Sequence, residues 1–248
     1  MEDLLDFNHS EKTPTFADGV NSHIDTALVA ENARQIPRDY LGGSRLGDAC
    51  HRRLQYEYLH AIKDGGAGFS GKTLRIFALG HVLEDLVIDW LRKGGFDLRT
   101  RNRDGGQFGF AAAGGRIKGH ADGVVVAAPN GMAVPALWEC KSANAKNWRD
   151  IVNRGVVKSK PIYATQIALY QAYLGLAETP ALFTVINKDT CEIWHELVPF
   201  DAARAQAASD KAVTILKACD AHEILARHTV DPEHFQCRFC DWRARCWA

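Results

Sequence analysis

Glu139 and Lys141 stand two positions apart in LWECKSA, a segment whose apolar start reads as a buried strand, and Asp122 and His120 stand in GHADGVV just before a second β-rich run. Charges cost little on a solvated helix and a great deal inside a sheet, so their presence at strand ends needs a reason. Between the two runs lies AAPNGMA, in which Asn130-Gly131 is a strong two-residue hairpin signal because both positions accept positive φ. The pairing that follows sets Asp122 opposite Glu139 and His120 opposite Lys141. All four side chains then project from one face, with opposed Cβ atoms roughly 5 Å apart. Two carboxylates that close repel, and one pKa rises unless a cation sits between them. Such a pair suits a hard metal. Mg²⁺ or Mn²⁺ takes oxygen ligands and keeps several waters, one of which can attack a phosphodiester. Lys141 would point into the same pocket and orient that water or offset charge developing on the phosphate. The plainer alternative makes Asp122 a turn cap at Gly123 and Glu139–Lys141 an ordinary ion pair on a solvated face, with Gly123 and Pro135 as places where a bulge would undo the register.

Such a site needs strands braced by helices. LGGSRLGDACHRRLQYEYLHAI reads as a helix entered near Ser44 and running past Tyr58, closed by the breaker KDGGAGFSG. TLRIFALGHVLEDLVIDWLRKGG carries an apolar helical stripe at Ile76, Leu79, Leu83, Leu86, Val87 and Trp90, leaving His81, Glu84 and Asp85 on a common polar face. Strands are expected in FDLRTRNR, GQFGFAAAGGRIKGHADGVVVAAP and AVPALWECKSA. SKPIYATQIALYQAYLGLA reads as an amphipathic helix, ALFTVINKDTCEIWHELVPF as a hairpin and DAARAQAASDKAVTILKACDAHEILARH as a long helix. Residues 1–36 lack a sustained period and are expected to form a flexible arm, 37–235 the core and 236–248 a cysteine-bearing tail.

The chain has 248 residues, 46% of them hydrophobic, enough for one domain with a substantial core. Lysine plus arginine and aspartate plus glutamate each total 30, so net charge does not decide for or against a polyanionic partner. No apolar run is long enough to cross a bilayer, and the acidic start has no secretory leader, so a cytoplasmic protein is expected. Basic runs could line a nucleic-acid path: Arg101 in RTRNR, Lys146 and Arg149 in KNWR, then RGVVKSK, with Trp148 and Tyr163 able to stack on bases.

Seven cysteines in such a chain suggest thiols or metal ligands rather than disulfides. CRFCDWRARC places Cys237, Cys240 and Cys246 at C-x₂-C-x₅-C, one ligand short of a four-coordinate site, and Cys50 could supply the fourth if the chain ends meet. Thiolates suit zinc and iron alike. Cys140, Cys191 and Cys219 occur singly and read as buried apolar residues.

GHADGVV followed by LWECKSA resembles motifs two and three of the PD-(D/E)XK nuclease superfamily, with Ala121 where the nominal motif has proline. LGHVLED is similar to the helical motif of its RecB-like branch, and QIALY to that branch's Q-x-x-x-Y motif. The resemblance implies an α/β fold with a restriction-endonuclease-like mixed central β-sheet flanked by helices. It implies Mg²⁺ or Mn²⁺ held by His81, Asp122, Glu139 and the Cys140 carbonyl, Lys141 as the catalytic amine, and Gln166 and Tyr170 orienting the DNA strand. His120 matches no family ligand. The four cysteines resemble those of iron–sulfur nucleases found in CRISPR-associated RecB-like proteins and in AddB subunits, which implies a [4Fe-4S] cluster on Cys50, Cys237, Cys240 and Cys246 joining the two ends of the fold, with Zn²⁺ as the alternative. The function so implied is a metal-dependent DNA exonuclease acting on single-stranded or frayed ends, in phage or prophage recombination or DNA processing, with a recombination or integrase partner. A CRISPR spacer-acquisition nuclease and a non-catalytic DNA-binding or assembly module are the alternatives.

Overall fold

The computed structural model describes residues 14–129 and 131–248. Asn130, half of the expected hairpin turn, and the first thirteen residues of the expected arm lie outside the described residues. The chain divides into two compact units: Met1–Ile36 with Gly68–Leu79, and Pro37–Ala67 with Gly80–Ala248.

In the first unit, a stretch expected to hold no regular element contains an 18-residue helix, α1 (Phe16–Ala33). Its cause is local. Thr15 caps the helix by accepting the Asp18 N–H at 3.2 Å, and the Asp18 carboxylate accepts the Thr15 N–H at 2.8 Å. This reciprocal box satisfies donors that a helix start otherwise leaves unpaired. The same unit holds the first residues of α3 (Gly71–Lys93), where Arg75 pairs with Asp25.

The second unit carries the sheets. A three-stranded mixed sheet has the order β1 (Leu41–Gly42), β4 (Ile117–His120), β3 (Gly109–Ala112), and a five-stranded mixed sheet the order β2 (Asp97–Arg99), β5 (Gly123–Ala127), β6 (Ala136–Ala143), β7 (Ala181–Asn187), β8 (Ile193–Val198). The helices are α2 (His51–Tyr58), the remainder of α3, α4 (Ala145–Ser159), α5 (Pro161–Tyr173), α6 (Ala202–Asp220), α7 (Phe235–Arg238) and α8 (Arg243–Trp247). This is a restriction-endonuclease-like arrangement of mixed sheet and flanking helices, with a second small sheet added to the single one expected. Among the described residues no helix is long and apolar enough to cross a membrane.

β6 is the hinge of the architecture. Side chains alternate across a strand, so its residues serve two cores. Leu137 joins a core with Ile151 of α4, Ile167 and Leu169 of α5, Phe183 and Val185 of β7 and Ile215 of α6. Trp138 and Cys140 join the other, with Leu83, Val87, Ile88 and Leu91 of α3, Leu98, Val125 and Ile186. The buried face of α3 therefore differs from the expected stripe: Leu86 and Trp90 are exposed, and Ile88 and Leu91 take their place.

Several element boundaries also move. The helix expected from Ser44 begins at His51, because the Asp48 carboxylate accepts the Cys50 N–H at 2.9 Å and turns the chain first. α6 stops at Asp220 instead of running on toward His228, since the buried Gln55 amide clamps the next segment, donating to Glu223 O at 2.6 Å and accepting from Leu225 N at 2.9 Å. α4 was not expected as a helix; Asn144 caps it by accepting the Asn147 N–H at 2.9 Å. α5 is buried on most of its circumference, so it is a central helix rather than an amphipathic one.

Candidate functional site

β5 and β6 pair antiparallel with Gly123 opposite Trp138 and Val124 opposite Leu137, which is the register the hairpin signal implies. The connection is longer than two residues, however, since β5 ends at Ala127 and β6 begins at Ala136. One position beyond the last pair, Asp122 lies where the chain leaves the three-stranded sheet for the five-stranded one. Its Oδ2 accepts the backbone N–H of Cys140 at 2.8 Å, which pins the carboxylate to β6 next to Glu139. The crossing explains why His120 does not face Lys141. His120 belongs to β4, pairs with Gly109 and is exposed.

Glu139 is 0% exposed, on the α5 side of β6. Its Oε1 accepts from Gln166 Nε2 at 2.6 Å and from Lys141 Nζ, while its Oε2 has no partner. A buried, half-satisfied carboxylate is costly, and its electrostatics record the cost. Burial first, and then the charge of Asp122, push the Glu139 carboxyl from 4.5 up to about 8, against the pull of Lys141. Burial acts in the opposite sense on Lys141, but Glu139 and Asp122 overcome it and hold the ammonium above its ordinary value. Lys141 retains 24% exposure and lies 5.5 Å from the centre of the Tyr163 ring.

α3 supplies the group that the sequence reading did not place in the site. Glu84 is half-buried, and burial and then Asp122 raise its carboxyl from 4.5 to about 7. His81, the expected α3 ligand, is exposed one helical turn earlier. The signal for Glu84 was present in LGHVLED, where it shares the polar face with His81; only the packing of Leu83 and Val87 shows that the helix turns Glu84 toward the acids.

The expected DNA-orienting pair is buried as well. Gln166 and Tyr170 are 5% and 2% exposed; Gln166 donates to Glu139, and Tyr170 packs edge-on to Phe110 with ring centres 5.5 Å apart. Burial, then Glu139, raises the Tyr170 phenol. Two expected stacking residues are also engaged internally: Trp148 donates to Val185 O at 3.2 Å, and Tyr163 packs against the first core beneath Lys141. Lys146 and Arg149 are exposed on the opening turns of α4, immediately after β6. Arg101 is exposed in the β2–β3 connection, where its guanidinium donates to Gly105 O at 2.9 Å.

Cys50, Cys237, Cys240 and Cys246 line one cavity, at which α2 meets the C-terminal segment. Further along, Trp242 Nε1 donates to Ala61 O at 2.8 Å and Asp64 accepts the Ala244 N–H at 2.6 Å, so the early and late segments are joined. Of the single cysteines, Cys140 and Cys219 are buried, but Cys191 is exposed at φ 63° in the β7–β8 turn, contrary to expectation. Among the described residues no three His, Cys, Asp or Glu side chains converge as closely as the ligands of one metal ion. The donor sets nonetheless fit such ions. Three carboxylates answered by one ammonium, with a buried oxygen left unpartnered, suit a hard divalent cation, and four thiols on one cavity suit a thiophilic one.

The fold is a restriction-endonuclease-like α/β arrangement of mixed sheet and flanking helices. Solved structures share the architecture: an alkaline exonuclease (LHK-Exo) from Laribacter hongkongensis matches at 16% identity and TM-score 0.50, covering 79% of this chain and 93% of the other, and its complex with dAMP matches at 15% and 0.50, covering 81% and 93%. A protein crystallised as SSO0001 matches at 16% identity and TM-score 0.50, covering 94% of this chain and 98% of its own. No protein-family model and no curated protein sequence matches the chain.

Proposed function

We propose that the chain is a metal-dependent deoxyribonuclease that degrades DNA from ends, with Asp122, Glu139 and Glu84 facing a Mg²⁺ or Mn²⁺ ion. The carrying observation is the buried Glu139 Oε2, left without a partner beside Asp122 in a site with more carboxyl groups than Lys141 can pair with. A bound cation would supply Lewis-acid stabilisation of a phosphoryl oxygen and a water of lowered pKa. The residues do the rest. Asp122 is held in place by the Cys140 N–H, and Glu139 by Gln166. Lys141, paired with Glu139 but still partly exposed, presents its ammonium where charge grows on the phosphate. Lys146 and Arg149, at the mouth of the same strand, suit backbone phosphates on the approach. The structural likeness to an alkaline exonuclease, one form of it with dAMP, supports DNA as the substrate.

The same reading gives Cys50, Cys237, Cys240 and Cys246 a [4Fe-4S] cluster, or Zn²⁺, that fastens the C-terminal segment to α2. Hydrolysis transfers no electrons, so the centre serves to hold the fold together there.

The nuclease reading is tested by digesting end-labelled linear and circular DNA with Mg²⁺, Mn²⁺ or chelator. Linear DNA is expected to be lost from its ends while circles survive, the chelator to stop digestion, and Lys141→Ala to slow it by about 100-fold or more with the fold intact. A folded Lys141→Ala protein that cuts at the parent's rate would remove the mechanism.

A further inference from the structure

Among the described residues, five buried side-chain nitrogen or oxygen atoms lack a hydrogen-bond partner, and three of them belong to residues lining the cysteine cavity: Arg53 Nε, Gln236 Oε1 and Trp247 Nε1. Each buried polar group without a partner costs about 1–3 kcal/mol. Concentrated at one cavity, such groups point to an occupant that would satisfy them. Two of the three are N–H donors with no alternative role, and the Gln236 amide can present either end.

N–H donors reach two of the cavity's sulfurs directly. Cys50 Sγ accepts the Arg53 backbone N–H at 3.4 Å, and Cys246 Sγ faces Arg52 Nη1 at 3.6 Å. The Trp247 indole, its Nε1 unpartnered, and Cys237 line this same cavity. The Arg53 guanidinium lines it as well, as does Cys240. Asp48 steadies the Arg53 guanidinium through Nη1 at 3.5 Å, leaving Nε uncommitted. Neutral thiols are weak acceptors and do not need such an array; thiolates bonded to a metal accept strongly and carry charge that N–H donors offset.

We propose that Arg52, Arg53 and Trp247 are positioning residues for a sulfur-ligated metal centre on Cys50, Cys237, Cys240 and Cys246, each donating an N–H···S bond to the ligand sulfurs. The inference rests on the cysteine centre put forward above and adds the residues that tune it. With such a centre bound, the four cysteines would hold it as thiolates, their protons going to water, and the N–H donors would offset the charge on the sulfurs. Trp247→Phe keeps the ring and removes only the N–H; Arg53→Lys keeps the charge and removes the Nε–H.

The test uses the full chain purified anaerobically, with iron, sulfide and zinc assayed and any zinc exchanged for Co²⁺, so that either centre shows sulfur-to-metal charge-transfer absorption. Trp247→Phe and Arg53→Lys are expected to bind the parent's complement of metal. They should release it to a chelator about tenfold faster and shift the charge-transfer band to longer wavelength, since unbonded sulfur lone pairs lie higher in energy. Metal-loaded variants with the parent's band and release rate would overturn the donor assignment and leave the cysteine centre standing. A parent chain that holds neither iron nor zinc and develops no band with Co²⁺ would overturn both.

Discussion

Replacing Glu139 by Gln in metal-free protein should change how stability depends on pH. The Glu139 carboxyl lies at about 8 in the folded chain against an ordinary 4.5, because burial and the neighbouring Asp122 disfavour its charge. Between those values the folded chain keeps a proton that the unfolded chain has released. Stability contributed by this group is therefore fully present below its unfolded value and is lost as pH rises through the folded one. One retained proton gives a slope of at most about 1.4 kcal/mol per pH unit. Glu84, raised to about 7, acts in the same sense, but it is only half-buried and solvent screens its share. His51 and His195, both lowered by burial, act in the opposite sense only below their ordinary 6.5. The interval from about pH 7 to about pH 8 therefore isolates the acids, and there the parent should lose on the order of 1 kcal/mol. Urea titrations followed by circular dichroism in the presence of a chelator give the slope directly. Glu139→Gln should remove most of it. Mn²⁺ should oppose it in the parent, with a stabilisation that grows with pH as the ion displaces the proton. A parent with no slope in this interval, or a variant that keeps it, would show that Lys141 alone neutralises Glu139, and the case for a cation at the unpartnered oxygen would fail.

Gln166→Leu removes the 2.6 Å bond to Glu139; if Gln166 acts through that carboxylate, digestion should show a lowered kcat with KM little changed, together with weaker Mn²⁺ binding by calorimetry. Gly155 sits at φ 73°, ψ 158° within α4, and an added Cβ would lie 2.9 Å from Glu196 Oε1, so Gly155→Ala should cost about 2 kcal/mol or more in urea unfolding. Thr184→Val leaves the buried Trp138 indole N–H without its 3.0 Å acceptor and should cost about 1–3 kcal/mol by the same measurement, with DNA digestion retained.

What could be read in the chain beforehand depended on whether the deciding interactions were local. The β5–β6 register followed from the Asn130-Gly131 signal and the alternation of its flanks, and it brought Asp122 to Glu139 although the connection is longer than a two-residue turn. α1 was equally local: Thr15 and Asp18 form a box that its four residues spell out, but the surrounding polar composition obscured it. The partner of the acids on α3 was not local. His81 and Glu84 share a polar face in sequence, and the choice between them depends on the helix's rotation, which Leu83, Val87, Ile88 and Leu91 set by packing on Trp138 and Cys140. The fate of Gln166 and Tyr170 was likewise hidden, because a Q-x-x-x-Y spacing shows a shared face without showing what covers it. Here that face is turned inward, and what the spacing delivers is an amide that donates to a buried carboxylate, while Lys146 and Arg149 stay exposed and Lys141 partly so.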